Sequence, residues 1–208
     1  MGIFGPSTLE HVRQAATLPH RIGDCDLRFQ PTSLDGAWLI EPEPVRDERG
    51  FFARTFCATE FAERGLETGF VQHSVSHSAR VHTIRGMHFQ TPPHAEVKVV
   101  SCIAGTIYDV IVDIRPQSPT YLQWRAFELS ASNRRQLYIP AGFAHGFQTL
   151  TDDATVSYLI SQFYTPQAAS GLRFDDPTLA IQWPAAPSVI SERDRRWPLL
   201  EADCAVAY

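Results

Sequence analysis

Between Ser101 and Tyr164 one pattern recurs, and it narrows the choice of fold more than any other feature. Short runs rich in Val, Ile, Phe and Tyr alternate with Gly, Pro, Asn and Asp. "SCIAGTIYDVIVDIR" turns at a glycine and is closed by Pro116 and Pro119. "WRAFELS" and "RQLYIP" are two β runs separated by "ASNR", which reads as a hairpin turn. "AHGFQTL" and "ATVSYLISQFY" flank a second turn at "TDD". "CATEFAERG" reads as a short helix, and "AAPSVISERDRRWP" as an outer loop with another. Many short strands at regular spacing predict an all-β sandwich or jelly-roll barrel.

The chain has 208 residues, enough for one sizeable core. That core is expected to begin at "GAWLIEPEPV", leaving residues 1–35 as an N-terminal extension with one short helix near Thr8–Ala16 and residues 36–208 as the main domain. A net charge of -5 argues against a general nucleic-acid binder. No apolar run approaches the roughly 18 residues of a membrane span, and no secretory signal is evident. Cys25, Cys57, Cys102 and Cys204 are widely spaced, without a C-x-x-C. They suggest neither a zinc knuckle nor a disulfide scaffold, and a reducing cytoplasm is the expected location.

Strands of a small barrel alternate inward and outward. In "IYDVIVDIR" one side carries Tyr108, Val110, Val112 and Ile114, and the other Ile107, Asp109, Ile111 and Asp113. A face mixing carboxylates with aliphatics either lies partly in water or points Asp109 into a polar pocket. "IRGMHFQ" poses the same choice: His88 is a hydrogen-bonded core residue or it faces a cavity and moves protons. His73, His77 and His82 also cluster, but spacings of four and five do not align three imidazoles on a strand face.

"DERGFF" (47–52), "FVQ" (70–72), "RGMHFQ" (85–90), "DVIVDIRPQSPT" (109–120), "RQLYIPAGFAHGF" (135–147) and "DDPTLAIQWP" (175–184) occur together and in order. With them the chain resembles the dTDP-4-dehydrorhamnose 3,5-epimerase family over roughly Gly36 to Pro198. The resemblance implies a cupin-type double-stranded β-helix with a few short peripheral helices. It also implies a homodimer that exchanges strands, and a nucleotide-diphosphate sugar substrate with a 4-keto-6-deoxy sugar. It further implies that neither a metal nor another cofactor is needed. The residues agree on the metal. Metal-binding cupins use histidines and a glutamate, but here only His88 and His145 remain, and Lys98 stands about where the acidic ligand is expected. An ammonium repels a divalent cation.

Epimerising a carbon beside a ketone requires a base, a stabiliser for the enolate oxygen and an acid on the opposite face. The resemblance assigns the base to His88, whose residue type titrates near 6.5. It gives Asp194 the role of orienting that base, although "SERD" is equally an S-x-x-D capping box. It places Lys98 beside the keto oxygen O4 and makes Tyr158 the acid, since a phenol stays protonated at neutral pH. Arg49 and Arg85 match diphosphate-gripping positions. Gln72 and His145 match pocket-lining positions, and Phe52 and Tyr164 match substrate-contacting aromatics. Two departures unsettle the substrate: the Asp and Asn expected after "FVQ" are His73 and Ser74, and a glutamate expected after "RGFF" is Arg54. Three rival readings remain: a 4-keto sugar isomerase, a noncatalytic sugar-nucleotide-binding cupin and a metal-dependent cupin oxygenase. Solvent deuterium exchange and metal content separate them.

Overall fold

The computed structural model describes residues 26–200; the helix expected near Thr8–Ala16, Cys25 and Cys204 lie outside them. In chain order the strands are β1 Leu27–Pro31, β2 Trp38–Pro42, β3 Val45–Asp47, β4 Gly50–Phe52, β5 Gln72–Ser78, β6 Thr83–Gln90 and β7 Lys98–Ala104. They continue with β8 Thr106–Asp113, β9 Trp124–Ser130, β10 Gln136–Ile139, β11 Phe143–Thr149, β12 Ala154–Ile160, β13 Ala169–Gly171 and β14 Val189–Ile190. Two short helices, α1 Ala58–Ala62 and α2 Glu192–Arg195, lie at the periphery. One sheet runs β1-β2-β10-β7-β12-β5 and the other β13-β6-β11-β8-β9, with β14 added in parallel to β6. The architecture is the all-β cupin jelly roll.

Among the described residues three apolar clusters hold it together. Ile107, Ile111, Leu129, Phe143 and Phe147 from one sheet meet Val100, Leu137, Ile139 and Val156 from the other. Burial of such side chains is the main favourable term. The outer face of β6, β8 and β11 packs Met87, Val110, Val112 and Ala144 under Leu172, Leu179 and Ile181. On the opposite exterior, Ile40, Val99 and Tyr138 pack with Phe61 of α1 and with Phe29, Phe56 and Phe70.

This double cover decides the ambiguity of β8. Neither of its faces is wet: Asp109 and Asp113 are both 0% exposed, on the inner face with Ile107 and Ile111. Asp113 is held by Arg115, Ser118 and Thr120 at the end of the strand.

Two expectations need correction. "WRAFELS" and "RQLYIP" do not form a hairpin, because β9 pairs with β8 whereas β10 pairs with β2 and β7 in the other sheet. The linking turn instead satisfies itself: the Ser130 N–H donates to Asn133 Oδ1 and the Asn133 N–H to Ser130 Oγ, both at 3.0 Å. Arg134 then takes a φ of 56° and sends the chain across. The fold also starts ahead of Gly36, since β1 pairs with β2 and both Leu27 and Leu34 are buried.

Candidate active site

One end of the sandwich is open, and there the inner faces turn polar around a cavity of about 630 Å³. One sheet contributes Arg85 and His88 from β6 and His145 from β11; the other contributes Lys98 from β7, Tyr158 from β12 and Ser74 and Ser76 from β5. His88 and His145 are direct cross-strand partners. Arg85 and His88 are three residues apart, a spacing that puts side chains on opposite faces of a regular strand. The register between β6 and β11 shifts here, with Phe147 opposite Arg85 and His145 opposite His88. One extra residue in β6 restores the parity, so both side chains line the cavity. Gly86 makes the shift sterically feasible. Its φ is +130°, and a Cβ there would lie 2.4 Å from Gly146 Cα.

His88 is half-exposed and Asp194 is buried behind it, with Nε2 and Oδ1 2.7 Å apart. Asp194 Oδ2 accepts the Gly86 N–H at 3.2 Å. Burial pushes the Asp194 carboxyl up, but the hydrogen bond and charge of His88 and the Gly86 amide outweigh it and hold the group below its ordinary value. An ionised carboxylate only accepts, so Nε2 carries the proton, and Nδ1 has no hydrogen-bond partner among the described residues. The "SERD" motif serves two ends. Ser191 caps α2 by accepting the Asp194 N–H at 3.0 Å, while the Asp194 side chain reaches His88 and not the cap. Trp197 packs edge-on to His88, with ring centroids 6.5 Å apart, over Gly171, where a Cβ would meet the indole at 2.4 Å.

Facing this dyad, Tyr158 shares a 3.0 Å hydroxyl contact with Ser76. Burial pushes its phenol well above the ordinary value, more than the Ser76 bond offsets. His145 is buried, with Nε2 2.9 Å from Asp109 Oδ2 and its ring 6.3 Å from that of Tyr158. Asp109 is raised, chiefly by burial, against the lowering pull of His145 and Lys98. Ser76 and the pairing of His145 with Asp109 escaped the sequence reading. The only trace was the carboxylate that interrupts the aliphatic side of β8.

A smaller cavity of about 210 Å³ adjoins the first and shares His88, Lys98, Ile160 and Arg193 with it. Gln72 and Tyr164 line it, tied by the Tyr164 N–H donating to Gln72 Oε1 at 2.8 Å. Arg85 donates to Ser78 Oγ and the His77 carbonyl. The structure thus brings together His88, Asp194, Lys98, Tyr158, Arg85, His145, Gln72 and Tyr164. It does not bring in Arg49, which pairs with Asp47 on the exposed β3–β4 hairpin, or Phe52, 65% exposed on β4. Neither residue lines either cavity. Of the two departures, Ser74 lines the larger cavity, whereas His73 turns outward to Ser157, 2.8 Å away. Arg54 pairs with Glu60 at 3.0 Å, outside both cavities. Among the described residues no group of three His, Cys, Asp or Glu side chains has metal-binding geometry, and none of the helices is long and apolar enough to cross a membrane.

Comparison with known proteins gives a consistent result. The sequence model of the family described as dTDP-4-dehydrorhamnose 3,5-epimerase matches residues 31–202. The chain is 47% identical over 180 residues to the dTDP-4-dehydrorhamnose 3,5-epimerase of Methanothermobacter thermautotrophicus, covering 85% of this chain and 96% of that one. The crystal structure of the Bacillus anthracis dTDP-4-dehydrorhamnose 3,5-epimerase with TDP and pyrophosphate bound superposes with a TM-score of 0.82 at 43% identity, covering 84% of this chain and all of that one. The dTDP-6-deoxy-D-glucose-3,5-epimerase of Legionella pneumophila, in complex with dTDP-4-keto-L-rhamnose, gives 0.80 at 39%, covering 84% and 93%.

Proposed function

The chain belongs to the dTDP-4-dehydrorhamnose 3,5-epimerase family, and from that premise we propose how its own residues carry out the reaction. It is an isomerase that inverts C3, C5 or both in a nucleotide-linked 4-keto-6-deoxy sugar. His88 Nδ1 removes the proton α to the ketone, while Asp194 keeps the proton of Nε2 and stabilises the imidazolium. Lys98 faces the oxygen that becomes the enolate. Tyr158 returns a proton from the opposite side. Arg85 holds the diphosphate, and Gln72, His145 and Tyr164 bound the sugar and nucleotide.

The observation that supports this assignment is the position of His88 and Tyr158 on opposing sheets around one cavity, with His88 backed by a buried carboxylate. Opposed donors and acceptors are what an inversion demands and what simple ligand binding does not.

The active form is a strand-exchanged homodimer in the cytoplasm. Its support is the exposure of Phe51 and Phe52 on a hairpin that lines neither of its own chain's two cavities. In the dimer, Arg49 and Phe52 serve the partner's site.

The test is NMR of the protein with a dTDP-linked 4-keto-6-deoxyglucose in deuterated water. Exchange at C3 or C5 with the ketone kept at C4 is expected. A migrating carbonyl would mark an isomerase of the other kind, and tight binding without exchange a noncatalytic cupin. His88→Ala abolishes exchange at every carbon. Tyr158→Phe blocks inversion but spares abstraction and same-face return.

A further inference from the structure

Lys98 opens β7 and lies on the wall between the two cavities. Its side chain is only 12% exposed. A lysine is a flexible point charge on a four-carbon stem, and a buried one needs both a partner and a constraint. Both come from Glu96. In extended chain, residues two apart project to the same side. Val97 between them is clamped to the end of β12, its N–H donating to Ser161 Oγ at 2.8 Å and its carbonyl accepting the Ser161 N–H at 3.0 Å. Glu96 Oε1 then lies 2.8 Å from Lys98 Nζ, and the glutamate side chain is 7% exposed.

Glu96 lines only the smaller cavity, so it grips the ammonium from the side away from Tyr158 and His145. Its second oxygen, Oε2, is buried without a hydrogen-bond partner among the described residues. Such an atom is costly to bury. A carboxylate serving packing alone has no reason to be placed there. The other charged or titratable groups around the ammonium are His88 and Arg85 on β6, His145 on β11, Tyr158 on β12, Asp194 and Arg193 at α2, and Asp109 on β8.

We infer that Glu96 is a positioning residue for Lys98, fixing its ammonium where the keto oxygen of the sugar is held. The inference rests on the proposed function. As negative charge grows on that oxygen, the ammonium is shared between it and Glu96. The lysine does not have to be ordered during the reaction.

The experiment measures solvent exchange of the dTDP-linked 4-keto-6-deoxy sugar by the full chain. Glu96→Gln keeps shape and removes charge. It is expected to lower the turnover number for exchange by about tenfold, with KM nearly unchanged. Glu96→Asp, which keeps the charge, retains more of the rate. In a Lys98→Met background, Glu96→Gln costs nothing further, because the residue through which it acts is gone. Losses that multiply independently in the double variant would overturn the inference, as would a Glu96→Gln protein with wild-type turnover. Absence of exchange in the wild-type protein would instead overturn the reading of the reaction itself, and the inference with it.

Discussion

At the scale of single residues, four polar groups of the cavity each meet a specific partner. His88 has Asp194, Lys98 has Glu96, Tyr158 has Ser76 and His145 has Asp109. Asp194 is the pair member whose charge fixes a tautomer. Asp194→Asn preserves its shape but leaves the wrong proton on His88, and exchange should fall by about a hundredfold or more. Rates of exchange at saturating sugar nucleotide check this, and nucleotide affinity should be unaltered. Ser76→Ala leaves the Tyr158 hydroxyl without its contact. It should slow inversion more than same-face exchange, a ratio that NMR in deuterated water reads directly.

At the scale of elements, β6 is the piece on which the cavity depends. Its irregular register turns both Arg85 and His88 inward. Only a glycine fits at position 86, where φ is +130° and the backbone of β11 comes close. Gly86→Ala should destabilise the fold by on the order of 3 kcal/mol, measured by urea unfolding. The closing turn of β8 is a second such element. Burial raises the Asp113 carboxyl, but hydrogen bonds from Arg115, Ser118 and Thr120 overcome it and leave the group below its ordinary value. A depressed carboxylate adds stability that is present above the ordinary carboxylate range, near 4, and is lost as pH falls through the lower folded value. Asp113→Asn should therefore cost about 3 kcal/mol at neutral pH. The gap to wild type should narrow below about pH 4 in unfolding curves recorded across that range.

At the scale of the molecule, the two cavities are built within one chain, yet Arg49 and Phe52 are not at them. A shared site makes a sharp prediction. Phe52→Ala and His88→Ala proteins, each impaired alone, should regain activity when co-expressed. A mixed dimer then has one site with its own His88 and the partner's Phe52. Random pairing restores roughly a quarter of all sites. If Phe52 served its own chain's site, co-expression would restore nothing. Sedimentation should give about twice the chain mass of 23.3 kDa.

From the amino-acid order alone came the fold class, most of the strands and the choice of His88, Lys98, Tyr158 and Asp194, which the structure brings to one cavity. Strand periodicity and turn residues are local, and the ordered motifs carried the rest. "SERD" could be read as a cap because capping is a relation between neighbours. Which strands pair, and what each polar side chain meets, were settled only by packing in three dimensions. The turn at "ASNR" looked like a hairpin because local chemistry makes a turn without saying whether the next strand stays in the same sheet. Asp109 could not be assigned a face, because burial depends on a second layer that β8 does not encode. Glu96 gave no signal at all, since a glutamate two residues from a lysine is an ordinary surface pair until a cavity wall closes around it.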